Sequence, residues 1–112
     1  MEFEKADTIP DILYHGTKGS IAEILNNEGL KKGAREYVHL TENVNIATQN
    51  AERWKEKNIY MIKIDAKKMK ADGIEILKSK NNVFLVESVS PQYFISTQLL
   101  ENKRKNRITK KI

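Results

Sequence analysis

The sequence predicts an α+β domain, and three observations carry that expectation. Short apolar runs, some with two-residue alternation, recur along the chain as strands require. Between them stand two segments whose apolar residues fall at helical spacing. At 112 residues, 39% of them hydrophobic, the chain is long enough for one core and too short for two.

Taken in order, residues 1–11 read as an irregular lead-in closed by Pro10. Ile12-Leu13-Tyr14-His15-Gly16-Thr17 begins as an apolar run and ends in a polar, glycine-containing turn, so it reads as a strand with His15 at its tip. Ser20-Ile21-Ala22-Glu23 matches a capping box, Ser20 capping and Glu23 reaching back. Ile21, Ile24 and Leu25 share a face and Gly29 follows as a stop, which predicts a helix from about 21 to 28. Leu30 to Ala34 reads as a basic loop. Tyr37-Val38-His39-Leu40-Thr41 alternates as a strand, with His39 on the face opposite Val38 and Leu40.

A second helix is expected from about Val44 to Lys55, where Ile46, Ala47, Asn50, Ala51 and Trp54 recur at helical spacing. Arg53 stands near its end, where a cation suits the helix dipole. Ile59 to Ile64 reads as a strand, with Tyr60, Ile62 and Ile64 on one face and Met61 on the other. Asp65 to Met69 reads as a turn or a single helical turn, ended by Gly73. Ile74–Leu77 and Val83–Val86 are expected to pair as a hairpin across Ser79-Lys80-Asn81-Asn82. Pro91 breaks the chain before a last segment, Tyr93-Phe94-Ile95. Residues 12–100 therefore read as a single domain and 101–112 as a tail.

The net charge of +5 is unevenly distributed. Residues 1–100 hold 14 basic and 14 acidic side chains and sum to zero, so the whole excess lies in the tail. There Lys103, Arg104, Lys105, Arg107, Lys110 and Lys111 face Glu101 alone. This tail has too little apolar content to pack and is expected to be mobile. Two readings of it stand open: a sequence-blind phosphate contact on nucleic acid, or a solubilising end. The absence of cysteine excludes disulfides and thiolate metal sites and fits a cytoplasmic location. No apolar run approaches membrane-spanning length, and Met1–Asp7 is not a signal peptide.

Phosphate-binding glycine loops, dinucleotide fingerprints, nucleophile elbows and metal-ligand clusters are all missing, so no metal is expected. What remains is His15 and His39, each in a strand-like stretch. Adjacent strands would bring both rings to one cleft, where Gly16 would let a ligand approach the backbone and Thr17 would add a hydroxyl. Arg35 and Arg53 could join them. They are the only arginines in residues 1–100, beside twelve lysines, and arginine suits a planar grip on phosphate. Two satisfied histidines and two surface arginines remain the alternative.

These residues also fall in a familiar order. Leu13-Tyr14-His15-Gly16-Thr17, Glu28-Gly29-Leu30 and Gly33-x-Arg35-x-x-Val38-His39-Leu40-Thr41 resemble the KptA-type RNA 2′-phosphotransferases. The likeness continues through Ala47, Arg53, Ile64-Asp65-Ala66, Met69, Gly73, Asn82-Val83-Phe84-Leu85 and Val89-x-Pro91, and covers roughly residues 12–95. It implies the family's NAD-binding lobe, an ADP-ribosyltransferase-like split β-sheet with short helices. By that likeness Tyr14, His15, Gly16 and Thr17 form the cofactor strand, His15 bonds ribose hydroxyls, and the Gly16–Thr17 region holds the nicotinamide amide. Arg35 joins the NAD contacts, His39 lies beside the nicotinamide ribose, and Arg53 corresponds to a phosphate-contacting arginine, so His39 and Arg53 are the catalytic candidates.

Val83 falls where many protein-modifying ADP-ribosyltransferases carry a catalytic glutamate, and the KptA branch is similarly apolar there. A hydroxyl acceptor is helped by a carboxylate; a phosphate is already anionic and needs cations. Val83, Arg53 and the basic tail thus agree on a phosphorylated acceptor, with Glu87 as the rival carboxylate. About eleven residues precede the first strand, where the family carries an N-terminal RNA-binding lobe. The expectation is therefore transfer of ADP-ribose from NAD to a phosphate of RNA or another nucleic acid, with a partner protein able to replace the lobe. A complete RNA 2′-phosphotransferase and a non-catalytic NAD- or RNA-binding module are the alternatives.

Overall fold

In the computed structural model, which describes residues 3–6, 8–33 and 35–104, strands and short helices mix as an α+β fold. The order is β1 Phe3–Lys5, β2 Ile12–Lys18, α1 Ala22–Glu28, β3 Leu30–Lys31, β4 Val38–Leu40 and α2 Val44–Glu52. There follow β5 Asn58–Asp65, α3 Ala66–Ala71, β6 Leu77–Ser79, β7 Phe84–Val86, β8 Ser88–Val89 and β9 Phe94–Glu101. All pairings are antiparallel. One sheet runs β2-β5-β9, a second β1-β6-β7-β4, and β3 pairs with β8. The two larger sheets join through one bridge, where Tyr14 N–H donates to Thr41 O at 2.7 Å and Thr41 N–H to Tyr14 O at 3.0 Å. A cleft opens beside that junction, lined by residues of both sheets.

Strand β5 organises the interior because both of its faces are covered. Tyr60, Ile62 and Ile64 join the main core with Leu13, Leu40 and Phe84. Ile59 and Met61, on the other face, meet Ala47 and Ala51 of α2. Ile62 is fully buried; its truncation to alanine is expected to cost about 2–5 kcal/mol. The alternation expected in β4 is also present: Val38 and Leu40 are buried and His39 is exposed. Asn43 caps α2, its side chain accepting from Asn45 N–H at 2.9 Å and Ile46 N–H at 3.3 Å. Asp65 caps α3 by accepting from Lys68 N–H at 3.0 Å.

Several expectations are corrected. The lead-in is not wholly irregular, since Phe3–Lys5 pairs with β6. The capping box does not form: α1 follows a 3-10 turn, Gly19–Ile21, and Ser20 instead binds the Glu56 carboxylate through its N–H at 3.0 Å and its hydroxyl at 2.9 Å. The basic loop contains β3, paired with β8. Helix α2 ends at Glu52, earlier than expected, and Lys55 adopts a positive φ beyond it. The last segment is an eight-residue strand, β9, paired along β5. Regular structure passes residue 100, because buried Asn102 donates its N–H to Lys57 O at 2.8 Å and its Nδ2–H to Glu52 O at 3.2 Å. Of the basic tail only Lys103 and Arg104 are described, both exposed; the expectation of a mobile tail over 105–112 lies outside the described residues.

Candidate functional site

The site is assembled by the turn that leads from β4 into α2. Thr41 closes the bridge to Tyr14 through its backbone and accepts from Asn43 N–H through Oγ1 at 3.1 Å. Asn43 then caps α2, which lies directly across β2. Gly16 permits that approach. A Cβ there would stand 2.1 Å from the Ala47 carbonyl oxygen and 2.9 Å from Met61 Sδ. The glycine expected to admit a ligand is therefore required first by the helix, although it also lines the cleft.

The resulting cleft has a volume of about 610 Å³. Tyr14, His15, Gly16, Thr17, Arg35, His39 and Arg53, the residues singled out in the sequence, all line it. Val83 does too; exposed Glu87 does not. Lys31, Lys32, Arg35 and Arg53 give the described lining four fixed cations, and no aspartate or glutamate accompanies them. Lys31 also forms a surface ion pair with Glu28, at 3.6 Å.

The two histidines are joined directly. His15 Nδ1–H donates to the backbone carbonyl of His39 at 2.8 Å. A carbonyl only accepts, so the proton sits on Nδ1 and the neutral ring keeps a lone pair on Nε2. Burial lowers the His15 pKa below the ordinary histidine value; the bond to His39 O opposes that shift, while the His39 and Arg35 charges add to it. Desolvation lowers the His39 pKa as well, assisted by Arg35. Both rings are therefore held toward the neutral form, and the cleft's fixed positive charge is carried by the lysines and arginines.

Asn50 and Trp54 line the cleft and were not expected there. Their helical spacing with Ala47 and Ala51 marked a helix without separating a core face from a cleft face. In the fold Ala47 and Ala51 are buried, while Ile46, Asn50, Arg53 and Trp54 turn to the cleft. The available signal was a second stripe, 46-50-53-54, whose polar members a core would exclude. Lys31 and Lys32 carried no comparable signal in a lysine-rich chain. Among the described residues no group of three or more histidines or carboxylates could hold a metal. None of the described helices is long and apolar enough to cross a membrane.

Fold and site together define an α+β domain with a cationic cleft, free of described carboxylates, around two linked histidines. The chain belongs to the RNA 2'-phosphotransferase, Tpt1 / KptA family, whose model matches residues 1–88. It is 37% identical over 94 residues to a protein of Flavobacterium johnsoniae named "Probable RNA 2'-phosphotransferase", covering 83% of this chain and 50% of that protein. A protein of the same name from Rhizobium leguminosarum bv. trifolii is 39% identical over 84 residues, 75% of this chain and 45% of its own length. A third, from Fusobacterium nucleatum subsp. nucleatum, is 37% identical over 86 residues, 77% and 47% of the two chains. The chain thus spans about half the length of the curated relatives it matches.

Proposed function

We propose that this chain is an NAD-dependent transferase that moves ADP-ribose to a phosphate group of RNA. The observation that carries the proposal is the composition of the cleft: four cations, two histidines held toward neutrality and no carboxylate among its described lining residues. Two consequences follow from that composition. Paired phosphates of a dinucleotide and an anionic acceptor are both favoured there. A hydroxyl acceptor would find no carboxylate among the described lining residues to position it, whereas a phosphate needs none.

NAD fits the residues present. The lone pair on His15 Nε2 can accept from a ribose hydroxyl, Tyr14 and Thr17 flank it on β2, and Arg35 can meet the pyrophosphate. NAD, when bound, would supply the ADP-ribosyl group and nicotinamide as the leaving group. The chain's part is to orient and to neutralise. His39 would hold the ribose next to the nicotinamide, and Arg53, the C-cap of α2, would hold the acceptor phosphate. Val83, on the cleft wall, adds no charge to oppose that phosphate.

Family membership supports a second reading, in which the 2′-phosphate is then removed from the RNA. One experiment separates the two. Label from NAD is followed in the presence of oligoribonucleotides ending in a 5′-phosphate, a 2′-phosphate or a hydroxyl. Simple transfer predicts a stable labelled adduct on phosphorylated RNA. The complete phosphotransferase predicts 2′-dephosphorylated RNA instead. Label on the hydroxyl-ended RNA alone, or no reaction with any of them, would overturn the proposal.

A further inference from the structure

At the C-terminal end of α2 four elements meet in one corner. Lys18 ends β2, Arg53 and Trp54 follow α2, Asn58 opens β5 and Glu101 closes β9. The strand register sets Lys18 opposite Ile59 and Asn58 opposite Glu101. Asn102 locks the corner through its bonds to Glu52 O and Lys57 O. Lys103 and Arg104, both exposed, therefore begin beside the end of α2.

Trp54 is the chain's only tryptophan, and it is 51% exposed. The helix it follows packs through Ala47 and Ala51, not through the indole. Lys18 Nζ stands 4.9 Å from the ring centroid, and half of the residue's surface remains open to water. Arg53 precedes it; Lys55 and Lys57, both exposed, follow. The acids of this corner are Glu52, Glu56 and Glu101, against Lys18, Arg53, Lys55, Lys57, Lys103 and Arg104. The Glu56 carboxylate already accepts both bonds from Ser20.

We infer that this corner is a landing surface for single-stranded RNA, with Trp54 stacking on a base and the surrounding cations meeting flanking phosphates. A solvent-open aromatic ring among cations is the recognition chemistry of a nucleotide strand, since every base has a face to stack and every linkage a charge. Trp54 also lines the cleft, so a strand lying there would lead its phosphate toward Arg53. The inference rests on the proposed acceptor class and adds where the acceptor strand lies.

A single tryptophan makes the test direct, because emission excited beyond the tyrosine absorption band then comes from Trp54. The full chain is titrated with a short single-stranded RNA bearing hydroxyl ends, and separately with NAD. Saturable change of emission by RNA is expected, with affinity falling as salt rises. In anisotropy measurements with labelled RNA, Trp54→Phe should bind like the parent, and Trp54→Ala roughly tenfold more weakly, the scale of losing one stacked base. Replacing Lys103 and Arg104 by glutamine should flatten the salt dependence by about 0.7 for each lost phosphate contact. RNA binding that leaves the emission unchanged, or Trp54→Ala binding as tightly as the parent, would overturn the inference. So would an emission change with NAD and none with RNA. Loss of ADP-ribose transfer with RNA quenching intact would instead overturn the proposed chemistry and leave this surface standing.

Discussion

His15 has a definite tautomer because its Nδ1 proton is committed to the His39 carbonyl. Two predictions belong to this residue. Removing its ring should weaken NAD binding, since losing one or two hydrogen bonds to ribose costs on the order of 1–3 kcal/mol. Calorimetry giving equal affinity for His15→Ala and the parent would take His15 out of the site. The second concerns pH. Burial lowers the folded-state pKa of both histidines below the ordinary value of about 6.5. The unfolded chain then binds more protons in acid, so the contribution of these rings is harmless above about pH 6.5 and destabilising below it. Tm should stay level from about pH 7.5 to about pH 6.5 and then fall toward the lowered values. His15→Asn should fall less steeply; the same slope in both proteins would assign the acid loss elsewhere.

At the scale of elements, α2 is the piece that makes the cleft, and its position depends on two residues outside it. Gly16 leaves room for the Ala47 carbonyl, and Asn43 fixes the first turn. Gly16→Ala must push helix and strand apart and is expected to cost about 1–3 kcal/mol. Activity should suffer more than stability, because the shift moves Arg53 relative to His15. Asn43→Ala should cost about 1 kcal/mol through the lost cap. Denaturant unfolding with unchanged midpoints for both variants would contradict this account of the helix. The elements also explain which features could be read from the sequence. Strand β5 was legible because its pattern is long and apolar. The short strands β1, β3 and β8 were not, as two or three residues carry no periodicity and pair only because a distant partner is present. None of the eight residues of strand β9 is buried, and its apolar residues stand in adjacent pairs, Phe94-Ile95 and Leu99-Leu100, without two-residue alternation; its backbone pairing with β5 creates it. Ser20 matched a local cap but is claimed by Glu56, 36 residues away.

At the scale of the whole molecule, the candidate site is a product of convergence. Strand β2 brings Tyr14 and His15, β4 brings His39, α2 ends at Arg53, and the turn before β7 adds Val83. The histidines and arginines were legible because they are rare in this chain. Trp54 and Asn50 were not, because one helix presents two stripes to two different surroundings. The proposed acceptor class rests on the assembled cleft, which Arg53 lines and Glu87 does not. The most direct measurement compares the rates of label transfer from NAD to phosphorylated RNA for Arg53→Ala and Glu87→Gln, in proteins that still bind NAD. A phosphate acceptor predicts a loss of roughly 100-fold for Arg53→Ala, the scale of removing one electrostatic stabiliser, and an unchanged rate for Glu87→Gln. A dead Glu87→Gln protein beside an active Arg53→Ala protein would contradict it.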